Sequence, residues 1–139
     1  MTTVFAVDDH TPFLATVALV IEATAGFDLV GVAGSAEAAT RPTDDGPGIL
    51  EADVALIDFK LPAASGLDLI QELGVHRESK QRPMLVLMSS YDRTELPWTS
   101  VGWQFVDDFL PKSLLSPGEL NDRWAAYVER RARLTGEPR

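Results

Sequence analysis

The chain has 139 residues, 45% of them hydrophobic, with no cysteine and 12 Lys and Arg against 21 Asp and Glu, a net charge of −9. That length and apolar content suit one domain with a single core, while the acidity weighs against direct contact with nucleic-acid phosphates or anionic lipid. The lack of cysteine excludes disulfides, thiol catalysis and thiolate metal sites; no stretch nears membrane-spanning length and the start, MTTV, is not a secretory signal, so a cytoplasmic protein is expected.

The first apolar run, VFAV (4–7), ends in Asp8 and Asp9. Thr11 is placed to cap a helix with Pro12 at its first position, and Phe13, Val17, Val20, Ile21 and Thr24 share one face until Gly26 stops it. A weaker run, FDLVGVA (27–33), follows as a second strand. Residues 39–50, ATRPTDDGPGIL, are broken by prolines and glycines and allow only a short second helix before a loop. VALI (54–57) leads to Asp58, and Ser65 with LDLIQEL opens a helix that should end at Gly74. MLVLM (84–88) leads to Ser89 and Ser90. Residues 93–104 contain Pro97 and little amphipathic pattern, so a short or distorted fourth helix is expected. The run at 105–111 leads to Lys112. SPGE (116–119) reads as a capping box for a last helix with the stripe Leu120, Trp124, Tyr127, Val128 and Arg131, and residues 131–139 form a charged tail.

Continuous rather than alternating apolar runs are what strands covered on both faces require. Strand and helix alternate about five times, which implies an α/β fold: a doubly wound parallel sheet with right-handed crossovers. In such sheets ligands bind outside the carboxyl ends of the strands. The polar residues that close the apolar runs, Asp8, Asp9, Asp58, Ser89 and Lys112, should therefore share one edge. Adjacent carboxylates resist desolvation, so a cation is expected between them. Three carboxylates suit a hard dication such as Mg²⁺, with water completing its shell. One of them can then act as a nucleophile toward phosphorus, forming an aspartyl phosphate whose oxygens a metal, a lysine and a serine hydroxyl neutralise. Taken singly, these acids are a solvated turn, the serine a backbone partner and the lysine a surface charge; their shared edge makes the site. His10 and His76 are read as capping or packing residues.

The motifs VDDH (7–10), IDFKLP (57–62) with SGLDLI (65–70), MSSYD (88–92) and DFLPKS (108–113) occur in that order, with Asp9, Asp58, Ser89 and Lys112 successively 49, 31 and 23 residues apart. In this the chain resembles the receiver domain of two-component response regulators, most closely NarL/FixJ-type receivers, whose relatives usually carry a helix-turn-helix output domain. The resemblance covers residues 3 to about 130 and implies a single receiver domain over 1–139, a flavodoxin-like (βα)5 fold with strand order 2-1-3-4-5. It implies that Asp58 accepts a phosphoryl group from a histidine kinase or phosphotransfer protein. Asp9 would bind Mg²⁺ directly, Asp8 mainly through water, with Asp58 and the main-chain carbonyl of Lys60 as further ligands. Lys112 would pair with the phosphoryl group, Ser89 would move toward it, and Phe109 would turn inward in response. The readout face would be the fourth helix, fifth strand and fifth helix, meeting an output protein or, in a homodimer, a second copy. Such a chain is a self-phosphorylating and self-dephosphorylating switch, not a multiple-turnover enzyme.

Several residues depart from the family's pattern. Ser113 stands where many relatives have a proline preceded by a cis bond, and Ser90 replaces a small residue beside the phosphate site, narrowing donor access. The fourth helical slot carries Pro97, Trp98 and Trp103, the two tryptophans being candidates either for a partner surface or for covering a core edge. No output domain occurs in these 139 residues, and the start and long last helix favour a complete single-domain regulator. A receiver-like binding module working without phosphorylation is the alternative. A flavin or nucleotide carrier fits poorly, because DDHTPF brings charge where a phosphate cradle needs glycines. A phosphohydrolase of the haloacid dehalogenase type would need a second acid two residues after its nucleophile; His10 and Lys60 stand there instead.

Overall fold

The computed structural model describes residues 1–42, 46–76, 83–90, 96–97 and 99–135. Its elements are β1 (Thr2–Val7), α1 (Thr11–Glu22), β2 (Phe27–Ala33), α2 (Ala36–Thr40), β3 (Val54–Asp58), α3 (Gly66–His76), β4 (Met84–Ser89), β5 (Asp108–Pro111) and α4 (Pro117–Thr135). Short 3-10 turns lie at Ile49–Glu51, Val101–Phe105 and Lys112–Leu114. The five strands pair in parallel in the order β2-β1-β3-β4-β5. No helix among the described residues is long and apolar enough to cross a membrane.

The apolar runs are continuous because both faces of the sheet are covered. Phe5, Val7, Ala55, Ile57, Leu85 and Leu87 point to one face, against Leu67, Ile70 and Leu73 of α3. The alternate residues Val4, Ala6, Val54, Leu56, Met84, Val86 and Leu110 face the other side, against Val17 and Ile21 of α1 and Leu120 and Tyr127 of α4. All five residues of β3 are buried, as its central place in the sheet demands.

Some helix boundaries differ from the expected ones. The N-cap of α1 is His10, without a side-chain cap bond, and Thr11 already lies within the helix. The helix ends at Glu22, and Gly26, at φ 84°, makes the left-handed turn into β2. Ser65 does cap α3: Asp68 N donates to Ser65 Oγ at 3.2 Å and Ser65 N to Asp68 Oδ2 at 3.1 Å. That helix runs through Gly74 to His76, because Gly74 is a contact residue and not a stop; a Cβ there would collide with the Phe105 ring. In α4, Glu119 N donates to Ser116 Oγ at 3.1 Å, while the Glu119 carboxylate pairs with Arg123 Nε at 2.9 Å.

In the fourth helical slot, the described residues include the 3-10 turn Val101–Phe105 in place of a regular helix. It is seated on α3, since a Cβ on Gly102 would lie 2.6 Å from the Leu67 carbonyl oxygen. Trp98 lies outside the described residues. The Lys112–Ser113 peptide is trans.

At the amino edge of the sheet, Asp53 ties three strands. Thr3 N donates to Asp53 Oδ2 at 2.8 Å, Asp53 N to Thr3 O at 3.0 Å, and Met84 N to Asp53 O at 2.8 Å. Asp53→Ala would strand the Thr3 amide and is expected to cost about 1–3 kcal/mol in urea unfolding. Because it sits at the edge remote from Asp58, any phosphoryl chemistry of the folded variant should be unchanged.

Candidate functional site

β1 stops at Val7 and delivers Asp8, 3% exposed, and the exposed Asp9 to the carboxyl edge. Asp8 Oδ1 accepts from His10 N at 2.8 Å, which bends the chain into α1. The last residue of β3 is Asp58, 7% exposed. Beyond it, Phe59 N donates to Met88 O at 2.8 Å and Gly66 N to Phe59 O at 2.6 Å, while Lys60 and Ser65 form an isolated antiparallel bridge. Ala63 adopts a left-handed φ of 64° to close this loop. The start of α3 lies so close behind Asp58 that a Cβ on Gly66 would overlap the Asp58 carbonyl.

Lys112 follows β5 and crosses the edge. Its Nζ lies 2.6 Å from Asp8 Oδ2, 3.3 Å from Asp58 Oδ1 and 4.3 Å from the centre of the Phe13 ring. Asp8 Oδ2 is buried without a hydrogen-bond partner among the described residues, so its short approach to Lys112 is an ion pair whose angles do not make a hydrogen bond. Burial raises the Asp58 carboxyl above its usual 3.8, the Asp8 charge raises it further, and Lys112 opposes both.

One carboxylate oxygen from each of Asp8, Asp9 and Asp58 can be chosen so that all lie within 4.8 Å of one another. An all-oxygen set of three carboxylates, with Asp9 open to solvent, fits Mg²⁺, whose shell keeps several waters. Ser89 closes β4 and is 1% exposed; Ser90 beside it is exposed. Lys60 is exposed within the loop after Asp58. Phe109 is half-buried, its ring 6.3 Å from that of Trp103, and Trp103 Nε1 donates to Pro97 O at 2.8 Å. Trp103 is half-buried and packs against the core cluster that includes Leu67 and Leu73.

Two contributors have little local signal in the sequence. Phe13 reads there only as part of an apolar face. Arg123 lies on α4 and donates to Asp108 Oδ1 at 2.9 Å and to the Phe109 carbonyl at 2.8 Å, tying α4 to the strand that carries Phe109. Its i,i+4 spacing from Glu119 was the only cue.

A five-stranded parallel sheet in the order β2-β1-β3-β4-β5, covered by helices on both faces, is the CheY-like receiver fold. A family model described as the response regulator receiver domain matches residues 4–124. The transcriptional regulatory protein YdfI of Bacillus subtilis is 30% identical over 96 residues, which are 69% of this chain and 41% of YdfI, so the chain spans less than half of that relative. The response regulator TrrA of Thermotoga maritima, solved in complex with Mg²⁺ and BeF, is similar with a TM-score of 0.70 and 19% identity, over 91% of this chain and 99% of that one. A chain from the complex of the P1 domain of CheA3 with CheY6 of R. sphaeroides is similar with a TM-score of 0.62 and 20% identity, over 91% of this chain and 96% of that one. The chain belongs to the response regulator receiver domain family.

Proposed function

We propose that this chain is a phosphoacceptor switch in which Asp58 takes a phosphoryl group from a histidine kinase or phosphotransfer protein. The observation that carries this is the Lys112 ammonium lying between Asp8 and Asp58 beside a three-carboxylate set. An Asp58 oxygen attacks phosphorus as the bond to the donor's leaving atom breaks, and Lys112 balances charge on the transferred oxygens. Bound Mg²⁺ would neutralise the same oxygens, as the metal complex of TrrA supports. Asp9, Asp58 and the Lys60 carbonyl would hold the ion; Asp8, whose oxygens already face His10 N and Lys112, would act through water. Ser89 would donate to a phosphoryl oxygen, drawing Phe109 inward.

The readout surface is then the segment at 101–105, β5 and α4, meeting an unnamed output protein or a second copy. The pairing of CheA3 P1 with CheY6 supports a kinase-side partner. The protein is a cytoplasmic switch without multiple turnover and without direct nucleic-acid contact, in keeping with its net charge of −9. Intact mass after incubation with acetyl phosphate is expected to show one phosphoryl adduct that requires Mg²⁺. No adduct at any Mg²⁺ concentration would overturn the reading.

A further inference from the structure

We infer that Phe13 is a positioning residue for Lys112, seating the ammonium for phosphoryl transfer through the face of its ring; this rests on the phosphoacceptor reading above. Lys112 has three contacts of note: Asp8 Oδ2 at 2.6 Å, Asp58 Oδ1 at 3.3 Å and the Phe13 ring at 4.3 Å. Its side chain is 15% exposed, so the ammonium is mostly withdrawn from water and an aromatic face attracts it more strongly than at an open surface.

Two of the three contacts change partners during the reaction. Asp8 belongs to the candidate metal set, and Asp58 becomes the phosphorylated group. The ring does neither. Being uncharged, it does not draw the ammonium away from phosphoryl oxygens, and lacking a donor, it does not compete for the carboxylates. A cation resting on it can pivot from one acceptor to the next without leaving its place.

The placement of Phe13 follows from the same site. Asp8 faces Lys112 through Oδ2, while through Oδ1 it accepts from His10 N at 2.8 Å; Phe13 N in turn donates to His10 O at 2.9 Å. One carboxylate thus orients both the ammonium and the turn that carries the ring. The remainder of Phe13 packs on the apolar cluster under α1 and α4. Packing alone would accept leucine there; only the contact with a cation requires an aromatic ring.

The test compares wild type with Phe13→Leu, Phe13→Trp and a chain carrying pentafluorophenylalanine at position 13. Acetyl phosphate is the donor, so that no protein partner touches α1. Fluorination keeps the ring's shape but removes its negative face. The leucine and fluorinated proteins are expected to be phosphorylated about three- to tenfold more slowly, with Trp matching wild type or exceeding it. Thermal unfolding should show the fluorinated protein still fully folded at the assay temperature, with a midpoint only slightly lowered by loss of the one contact. Equal rates for the native and fluorinated rings would overturn the assignment, as would a slow but stably folded Trp variant. The ring-current shift of the Lys112 ε-protons, present in wild type and lost in Phe13→Leu, reads the contact itself, and its absence from wild type would sink the seat whatever the chemistry. A wild type that takes up no phosphoryl group overturns the phosphoacceptor reading and, with it, the role of the seat.

Discussion

Asp58→Asn is expected to end phosphoryl uptake altogether and, without Mg²⁺ at neutral pH, to make the fold more stable. The first result follows from the role proposed for Asp58, since a carboxamide does not serve as a nucleophile toward phosphorus. The second follows from the environment of that carboxyl group. Burial and the neighbouring Asp8 charge raise its proton affinity above the usual value of 3.8, with Lys112 only partly offsetting them. A carboxyl group whose folded value is raised contributes fully to stability below its unfolded value, and that contribution is lost as pH rises through the folded value. As pH rises, ionising Asp58 is therefore a growing cost to the folded state, which an uncharged amide of the same shape avoids. A gain on the order of 1 kcal/mol is expected, the scale typical of exchanging activity for stability at a strained site. Urea unfolding from pH 4 to 8 checks it. The wild-type stability should drop relative to the variant as pH rises, and saturating Mg²⁺ should narrow the gap by binding the folded wild type. A variant less stable than wild type at pH 7 without metal would show that Lys112 outweighs burial.

Gly66→Ala is expected to be the most damaging single methyl group that the site can receive. The added Cβ would overlap the carbonyl oxygen of Asp58, and the Cα of Phe59 is close behind it. Both obstacles are main chain, which cannot rotate aside as a side chain can. Either α3 withdraws from its start or the end of β3 shifts, at a cost of about 3 kcal/mol or more. Because the collision involves the backbone of Asp58, the proposed phosphoacceptor, phosphorylation should fall even in the fraction that remains folded. Gly118→Ala is the matched control: it lies in the first turn of α4, where the nearest atom to an added Cβ is Ser116 Oγ at 4.0 Å. It should be neutral or stabilising by up to about 1 kcal/mol. Equal losses in the two variants, read by thermal unfolding, would show that the contact at Gly66 is of no consequence.

The sheet was legible in the sequence because burial on two faces leaves a plain signature, as in VALI and MLVLM. Its carboxyl edge was legible because a polar residue ends each of those runs. What stayed hidden depends on contacts between elements distant in the chain. Gly74 has the form of a helix stop, yet its lack of a side chain serves Phe105, some thirty residues later. Thr11 looked like the cap of α1, but Asp8 binds the His10 amide and sets the start one residue earlier. Pro97 announced an irregular fourth slot without indicating that Gly102 would press the 3-10 turn against Leu67. Nothing local marks Phe13 as a neighbour of Lys112, since β5 and the first turn of α1 meet only after the sheet has formed.

Arg123 bears on how the molecule behaves in a crowd. β5 is a rim strand, and a rim strand with unmade main-chain bonds is a template on which a foreign chain can be added. Here the strand is only four residues long, and the guanidinium of Arg123 already occupies its Phe109 carbonyl, with charged Asp108 alongside. At this rim, one of the two that the sheet has, α4 thus leaves little purchase for an added strand at the same place where it grips β5.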